Sequence, residues 1–300
     1  MGTQFWWFFD TAAAAVILIF IYLSGKKGFS KTIVLIAGYA LSITAAVMLA
    51  GKTADLIYEK TIMSRNTAKI EQALADISVS QKTKTLIDEL GYNVTADETQ
   101  IAEIFGAGGD TDTALYGYVN SIAGHQVDTA EEFGAKVIDG ISDVFKAALG
   151  SALTDYESEQ AADLIRKEGL GGFSETLAMM QAADRSAAAA HMEENYTRAA
   201  SKDIVKVICF IIILFVLMEA VNMLSRKLSD SGFIRPMDDI TDHALGGVLG
   251  AAQGVLVIFL AAAAVRILVV LGNNGMMLFN GETIDKTIFF RHIYNWTLKI

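Results

Sequence analysis

The chain has 300 residues, 53% of them hydrophobic and 19% charged, with a mean hydropathy of +0.39. That balance excludes a disordered or ordinary water-soluble chain and points to a membrane protein. A net charge of −10 and a single cysteine leave no basic surface for nucleic acid and no disulfide framework.

Phe5 to Leu23 is long and apolar enough for a first span, and its FWWFF start fits an aromatic interfacial belt. Lys26, Lys27 and Lys31 follow it and no Lys or Arg precedes it, the reverse of a cleaved signal peptide. Ser24 to Lys31 (SGKKGFSK) is expected to be a short basic loop, and Thr32 to Ala50 a second span. These elements make up residues 1–51.

Residues 52–203 differ in composition. They carry 13 Lys and Arg against 26 Asp and Glu, so the acid gathers here and the remainder is slightly basic. Phe133, Val137, Ile141, Phe145, Leu149 and Leu153 follow helical spacing. Thr95-x-x-Glu98, Thr129-x-x-Glu132 and Thr154-x-x-Glu157 read as capping boxes. Gly106, Gly124 and Gly169 stand where helices are expected to end. The segment reads as about five to seven helices. No Gly or Pro occurs from Ser174 to Ser231, so the last of them can run on as a stalk into the next span.

Residues 204–272 hold the third and fourth spans, Val205 to Leu224 and Asp242 to Leu271, joined by a loop with Arg226, Lys227, Arg235 and the only proline, Pro236. In the fourth span Gly246, Gly250 and Gly254 recur every four residues, close to one helical turn. They form one row, a groove against which another helix backbone can pack closely. Residues 273–300 form a tail. Ile284, Ile288, Tyr294 and Trp296 with Lys286, Arg291 and Lys299 suggest an amphipathic helix on the membrane interface, with a solvent-exposed tail as the alternative.

Few motifs bear on chemistry. Gly106 to Asp112 (GAGGDTD) lacks the Lys of a phosphate loop, and the calcium-loop pattern fails at Ala114 and Leu115. His191-Met192-Glu193-Glu194 is not a His-Glu-x-x-His zinc helix. No catalytic residue, cofactor or metal site is expected, and Cys209 reads as a buried small hydrophobe. Asp10, Glu219, Asn222, Gln253 and Arg266 are the polar residues within the spans. They either line a solute or proton path or reach the interface by snorkelling. Asp10 and Arg266 lie at equal depth from one surface, each five residues inward, and are candidates for an ion pair.

Asp242-His243-Ala244-Leu245-Gly246, followed by Gly250 and Gly254, resembles the fourth span of the colicin V production protein family. Asp10 in the first span and Gly25-Lys26-Lys27-Gly28-Phe29 after it match the same family. The family usually has Arg where His243 stands and a basic residue where Gln253 stands, and its short members lack the long insert. The resemblance implies a bacterial inner-membrane protein with a role in making or exporting a toxin, and no catalytic residues.

The expected fold is all-α: a polytopic membrane protein of four spanning helices with a helical extracytoplasmic insert. Both short loops carry Lys or Arg, which places them in the cytoplasm and both termini and the insert outside. The expected function is that of a non-enzymatic accessory or scaffold in toxin export or envelope maintenance. The insert would meet an envelope protein or the cell wall, and the glycine row could support a homo-oligomer. The alternative is a small-solute or ion channel or transporter built on the four helices.

Overall fold

The computed structural model describes residues 5–232, 240–272, 276 and 278–297. The described residues are all-α, with no strand among them. Helices α1 (Trp6–Lys27) and α2 (Phe29–Ile57) come first, and a π-helical turn, Tyr58–Ile62, follows. Seven helices make up the insert: α3 (Met63–Ala75), α4 (Val79–Glu89), α5 (Glu98–Ala107), α6 (Thr111–Ala123), α7 (Ala130–Gly150), α8 (Asp155–Gln181) and α9 (Arg185–Met192). A second π-helical turn, Glu193–Thr197, precedes α10 (Arg198–Asp230) and α11 (Ile240–Leu271). Two short helices, α12 (Gly281–Asp285) and α13 (Phe290–Trp296), lie in the tail. The described chain divides into two compact units, 1–57 with 203–300, and 58–202.

In the first unit, four helices are long and apolar enough to cross a membrane. Large apolar side chains stay uncovered along them, among them Leu41, Met48, Phe215 and Val248. Contiguous apolar surface of this kind is stable in hydrocarbon and not in water, which makes a lipid bilayer the environment of this unit. The basic segment after the first span is shorter than a loop. Helix α1 runs through Lys26 and Lys27, and only Gly28, at φ 78° and ψ 168°, separates it from α2. Two lysines in the last turn suit the negative end of the helix dipole, which explains why loop-like composition here is helical.

The tail also departs from expectation. Ile284 and Phe290 are buried with Phe9 and Ala13 of α1 and with Ile258, Ala262, Val265 and Val269 of α11. The Phe290 ring stacks on Phe9 with 4.9 Å between centroids. The described tail is thus folded back as two short helices, where one was expected, and they share a core with two spans. Lys299 lies outside the described residues, as do Arg235 and Pro236 of the loop before α11.

The second unit has its own core, in which Phe105, Phe133, Phe145 and Phe173 are fully buried. The Thr129 and Thr154 capping boxes both form. The Thr95 box does not. Asp97 caps α5 instead, and Glu98 accepts from the Ser78 and Ser80 hydroxyls. Helix α5 continues past Gly106 to Ala107, with Gly108 as its cap. Gly124 ends α6 in the left-handed conformation. Gly169 is a break inside α8, at φ 73° and ψ 179°, where two helical segments join.

Candidate functional site

Gly28, Phe29 and Asp242, three of the residues that carry the family resemblance, meet at the turn between α1 and α2. Gly28 is the residue that reverses the chain. Its N–H donates to the carbonyls of Ser24 (3.1 Å) and Gly25 (3.3 Å), closing α1. The next N–H, on Phe29, donates to Asp242 Oδ1 at 3.0 Å, so a carboxylate from α11 caps the start of α2. Any side chain at position 28 would occupy the place of Asp242 Oδ2, and the positive φ also favours glycine. Asp242 is 4% exposed, and its Oδ2 has no hydrogen-bond partner. Beside it, His243 Nδ1 donates to the Gly25 carbonyl at 2.8 Å. The Thr32 hydroxyl donates to the Gly28 carbonyl at 2.8 Å.

Below this turn, the glycine row is filled by the first span of the same chain. A Cβ on Gly246 would stand 2.7 Å from the Ser24 carbonyl oxygen, and one on Gly254 would stand 3.0 Å from the Ile17 Cα. At Gly250 it would run into the Phe20 carbonyl and lie 2.9 Å from the Ile21 Cα. These neighbours are backbone atoms, which cannot swing aside as a side-chain tip can. The three glycines therefore let α1 and α11 touch backbone to backbone.

The close approach places polar groups inside the bundle. Ser24 Oγ donates to Gln253 Oε1 at 3.0 Å, and both residues are buried. The Tyr39 hydroxyl donates to Asn222 Oδ1 at 2.7 Å. Asn222 Nδ2 donates to Glu219 Oε1 at 3.4 Å. Two hydrogen-bonded groups, one joining α1 to α11 and one joining α2 to α10, thus touch all four spans. Ser24, Thr32 and Tyr39 had not been singled out from the sequence. The signal was present, because Thr32, Leu35, Tyr39, Ser42, Ala46, Ala50 and Ala54 keep three- and four-residue spacing and are all buried on one face of α2.

Asp10 and Arg266 do not pair with each other. The two Asp10 oxygens accept from the N–H groups of Ile288 (2.7 Å), Phe289 (3.0 Å) and Phe290 (2.8 Å), at the start of α13. Arg266 Nη1 donates to the carbonyl of Thr297, which caps the other end of that helix, at 2.5 Å. The anion meets free N–H groups and the cation meets a free C=O, matching the helix dipole at both ends. An ion pair between the two residues would have left those backbone groups without partners.

In the insert unit, two glutamates are buried where sequence reasoning placed none. The Tyr58 hydroxyl donates to Glu193 Oε1, and the Ser201 hydroxyl donates to Glu157 Oε1. Asn66 Nδ2 donates to Ser201 Oγ at 3.0 Å. Tyr58 and Glu193 each open a π-helical turn, and nothing in residue type announces such a turn. On the surface, Arg166 lies between Asp139 (2.7 Å) and Asp143 (2.5 Å), and hydrogen bonding to Asp139 raises its already high pKa. Arg166, Asp139, Lys136, Asp112 and Glu168 are among the residues that line a surface groove of ≈ 930 Å³. Among the described residues, no three His, Cys, Asp or Glu side chains gather as metal ligands.

Comparison of the chain with protein-family models, with curated proteins and with solved structures gives no match.

Proposed function

We propose that the protein is a membrane-anchored scaffold of the colicin V production kind, without enzymatic activity, in the cytoplasmic membrane of a bacterium. In this reading the four spans are an anchor, and the acidic insert faces outward to hold an envelope protein or cell-wall partner. The observation that carries it is a division of labour. The span residues that resemble the family are taken up in packing the anchor, as Asp242, Gly28 and Phe29 are at the first turn. The insert has its own core and presents a charged groove. A role in toxin production or envelope maintenance follows from the resemblance.

Orientation and binding are tested together. In a Cys209→Ser background, Ser121→Cys on the insert and Ser231→Cys after α10 place single thiols at exposed positions. An impermeant thiol reagent applied to spheroplasts labels the first and spares the second. A crosslinker carried at position 121 then gives a discrete adduct, and an excess of soluble insert competes it away. Labelling of position 231 alone, or an adduct that excess insert does not reduce, defeats the proposal.

A second reading, a channel or transporter, draws on the two hydrogen-bonded groups, Ser24 with Gln253 and Tyr39 with Asn222 and Glu219. Polar groups that join spans are costly in lipid unless paired, and they mark solute and proton paths in transporters. Purified protein in liposomes separates the readings. Flux of ions or small solutes above the protein-free level, abolished by Gln253→Leu, favours transport.

A further inference from the structure

The end of the bundle that carries the α1–α2 turn collects positive charge that no carboxylate among the described residues pairs with. Lys27 is the last residue of α1, and Lys31 lies in the first turn of α2. Arg226 is in the last part of α10. Helices α2 and α10 meet where a Gly38 Cβ would run into the Val221 side chain and where Tyr39 bonds Asn222. From that contact, Lys31 lies seven residues back along α2 and Arg226 five residues on along α10. Both steps lead to the same end, by roughly 10 Å and 7.5 Å of helix rise. Lys27 is half-buried, and Lys31 and Arg226 both act on its ammonium electrostatically.

No carboxylate among the described residues pairs with any of the three. Asp242, the acid nearest this turn, accepts from Phe29 N–H with one oxygen and meets no donor with the other. A second buried polar atom without a partner lies at the same end. Ser225, next to Arg226, is 2% exposed and its hydroxyl has no hydrogen bond. Three cations from three spans, with an unmet hydroxyl at the same end, form a site short of an anion with acceptor oxygens among the described residues. A phosphate has one negative charge or more and oxygens that accept from ammonium, guanidinium and hydroxyl alike. In a bilayer, the phosphates at this depth belong to lipid headgroups, and basic sites between spans hold anionic lipids.

We propose that one anionic phospholipid binds at this end of the bundle, its phosphate held among Lys27, Lys31 and Arg226. Lys26 supplies the control. It is one residue away, yet its ammonium lies over the Tyr22 ring, 4.5 Å from the centroid, on another side of α1. Diffuse attraction to an anionic surface would use Lys26 and Lys27 equally, whereas a built site uses only Lys27.

The test uses the full chain in nanodiscs made from equal parts of phosphatidylcholine and phosphatidylglycerol. Native mass spectrometry reads which lipid stays bound on release. The wild type retains phosphatidylglycerol in preference. Lys27→Gln, Lys31→Gln and Arg226→Gln each lower that preference about fivefold, the equivalent of one lost cation at a membrane surface. Ser225→Ala lowers it without any change of charge, and Lys26→Gln leaves it in place. Lys27→Arg and Arg226→Lys keep the preference, which separates loss of the site from loss of the fold. Equal retention of the two lipids, or an equal loss with Lys26→Gln, overturns the proposal. Inorganic phosphate leaves the retained lipid in place; displacement by it would assign the cluster to soluble anions and overturn the lipid.

Discussion

Gly250 shows how little room single positions leave. Gly250→Leu forces side-chain atoms against the backbone of Phe20 and Ile21, and overpacking of this kind costs about 1–3 kcal/mol. Gly51→Ala, in the interior of α2 with nothing within 4 Å, is neutral or stabilising by up to about 1 kcal/mol. Thermal unfolding in one detergent, followed by circular dichroism, compares them; equal melting points would mean that α1 does not press on the glycine row. In the insert, Asp128 accepts from the Lys136 ammonium at 2.7 Å and from the Tyr92 hydroxyl. The Lys136 bond, then the Tyr92 bond, holds the Asp128 carboxyl below its ordinary value. A depressed carboxylate contributes stability above its unfolded pKa, about 3.9, and loses it as pH falls from there toward the folded value. The stability of the insert therefore drops on acidification through about pH 4. Asp128→Asn makes that limb shallower, as melts across the acid range will read.

At the scale of elements, three helical segments begin under a carboxylate from elsewhere in the chain. Asp242 caps α2, Asp10 caps α13, and Asp112 accepts at 3.0 Å from the Gly171 N–H, just after the break in α8. This is also where sequence reasoning reached its limit. The spans and the glycine row were legible, because hydropathy and four-residue spacing are properties of side chains. The partner of Asp10 was not, because it is a row of backbone N–H groups that any residue type would present. Two opposite charges at equal depth suggested a pair, and the structure gives each of them one end of the same helix. Asp10→Ala is expected to weaken tail docking by about 1.5–3 kcal/mol, the usual loss for hydrogen bonds to a charged group. Hydrogen exchange at residues 288–297 reads this as faster exchange in the full-length protein. The double exchange Asp10→Arg with Arg266→Asp turns like toward like at both ends of α13, so it recovers nothing. Recovery would show that the two side chains meet each other.

The two units of the whole molecule were legible to different depths. The acidic boundary near residue 52 and the helical character of the insert follow from charge counts and the Phe133 to Leu153 periodicity. Its contiguous unit, 58–202, starts a few residues later. The buried Glu157 and Glu193 escaped notice, because a glutamate in a helical pattern reads as surface until its hydroxyl partners are seen. With its own core and both capping boxes formed, the fragment 58–202 is expected to fold in the absence of lipid. Circular dichroism should show a helical spectrum and one cooperative melt. A spectrum of an unfolded chain would mean that the insert core needs the spans.

The pairing of α1 with α11 also sets a schedule for biosynthesis. Ser24 and Gln253, bonded across that contact, are 229 residues apart in the chain. At ribosomal speeds of about 5–20 residues per second, roughly 10–50 s separate the synthesis of one from the other. Throughout that interval the first span is in the membrane without the groove that will receive it, while the whole insert is made. Any chain that stops before α11 presents an unmatched helix for as long as it survives. Membrane proteases and insertion chaperones can thus tell a finished molecule from an unfinished one by whether the glycine groove has closed.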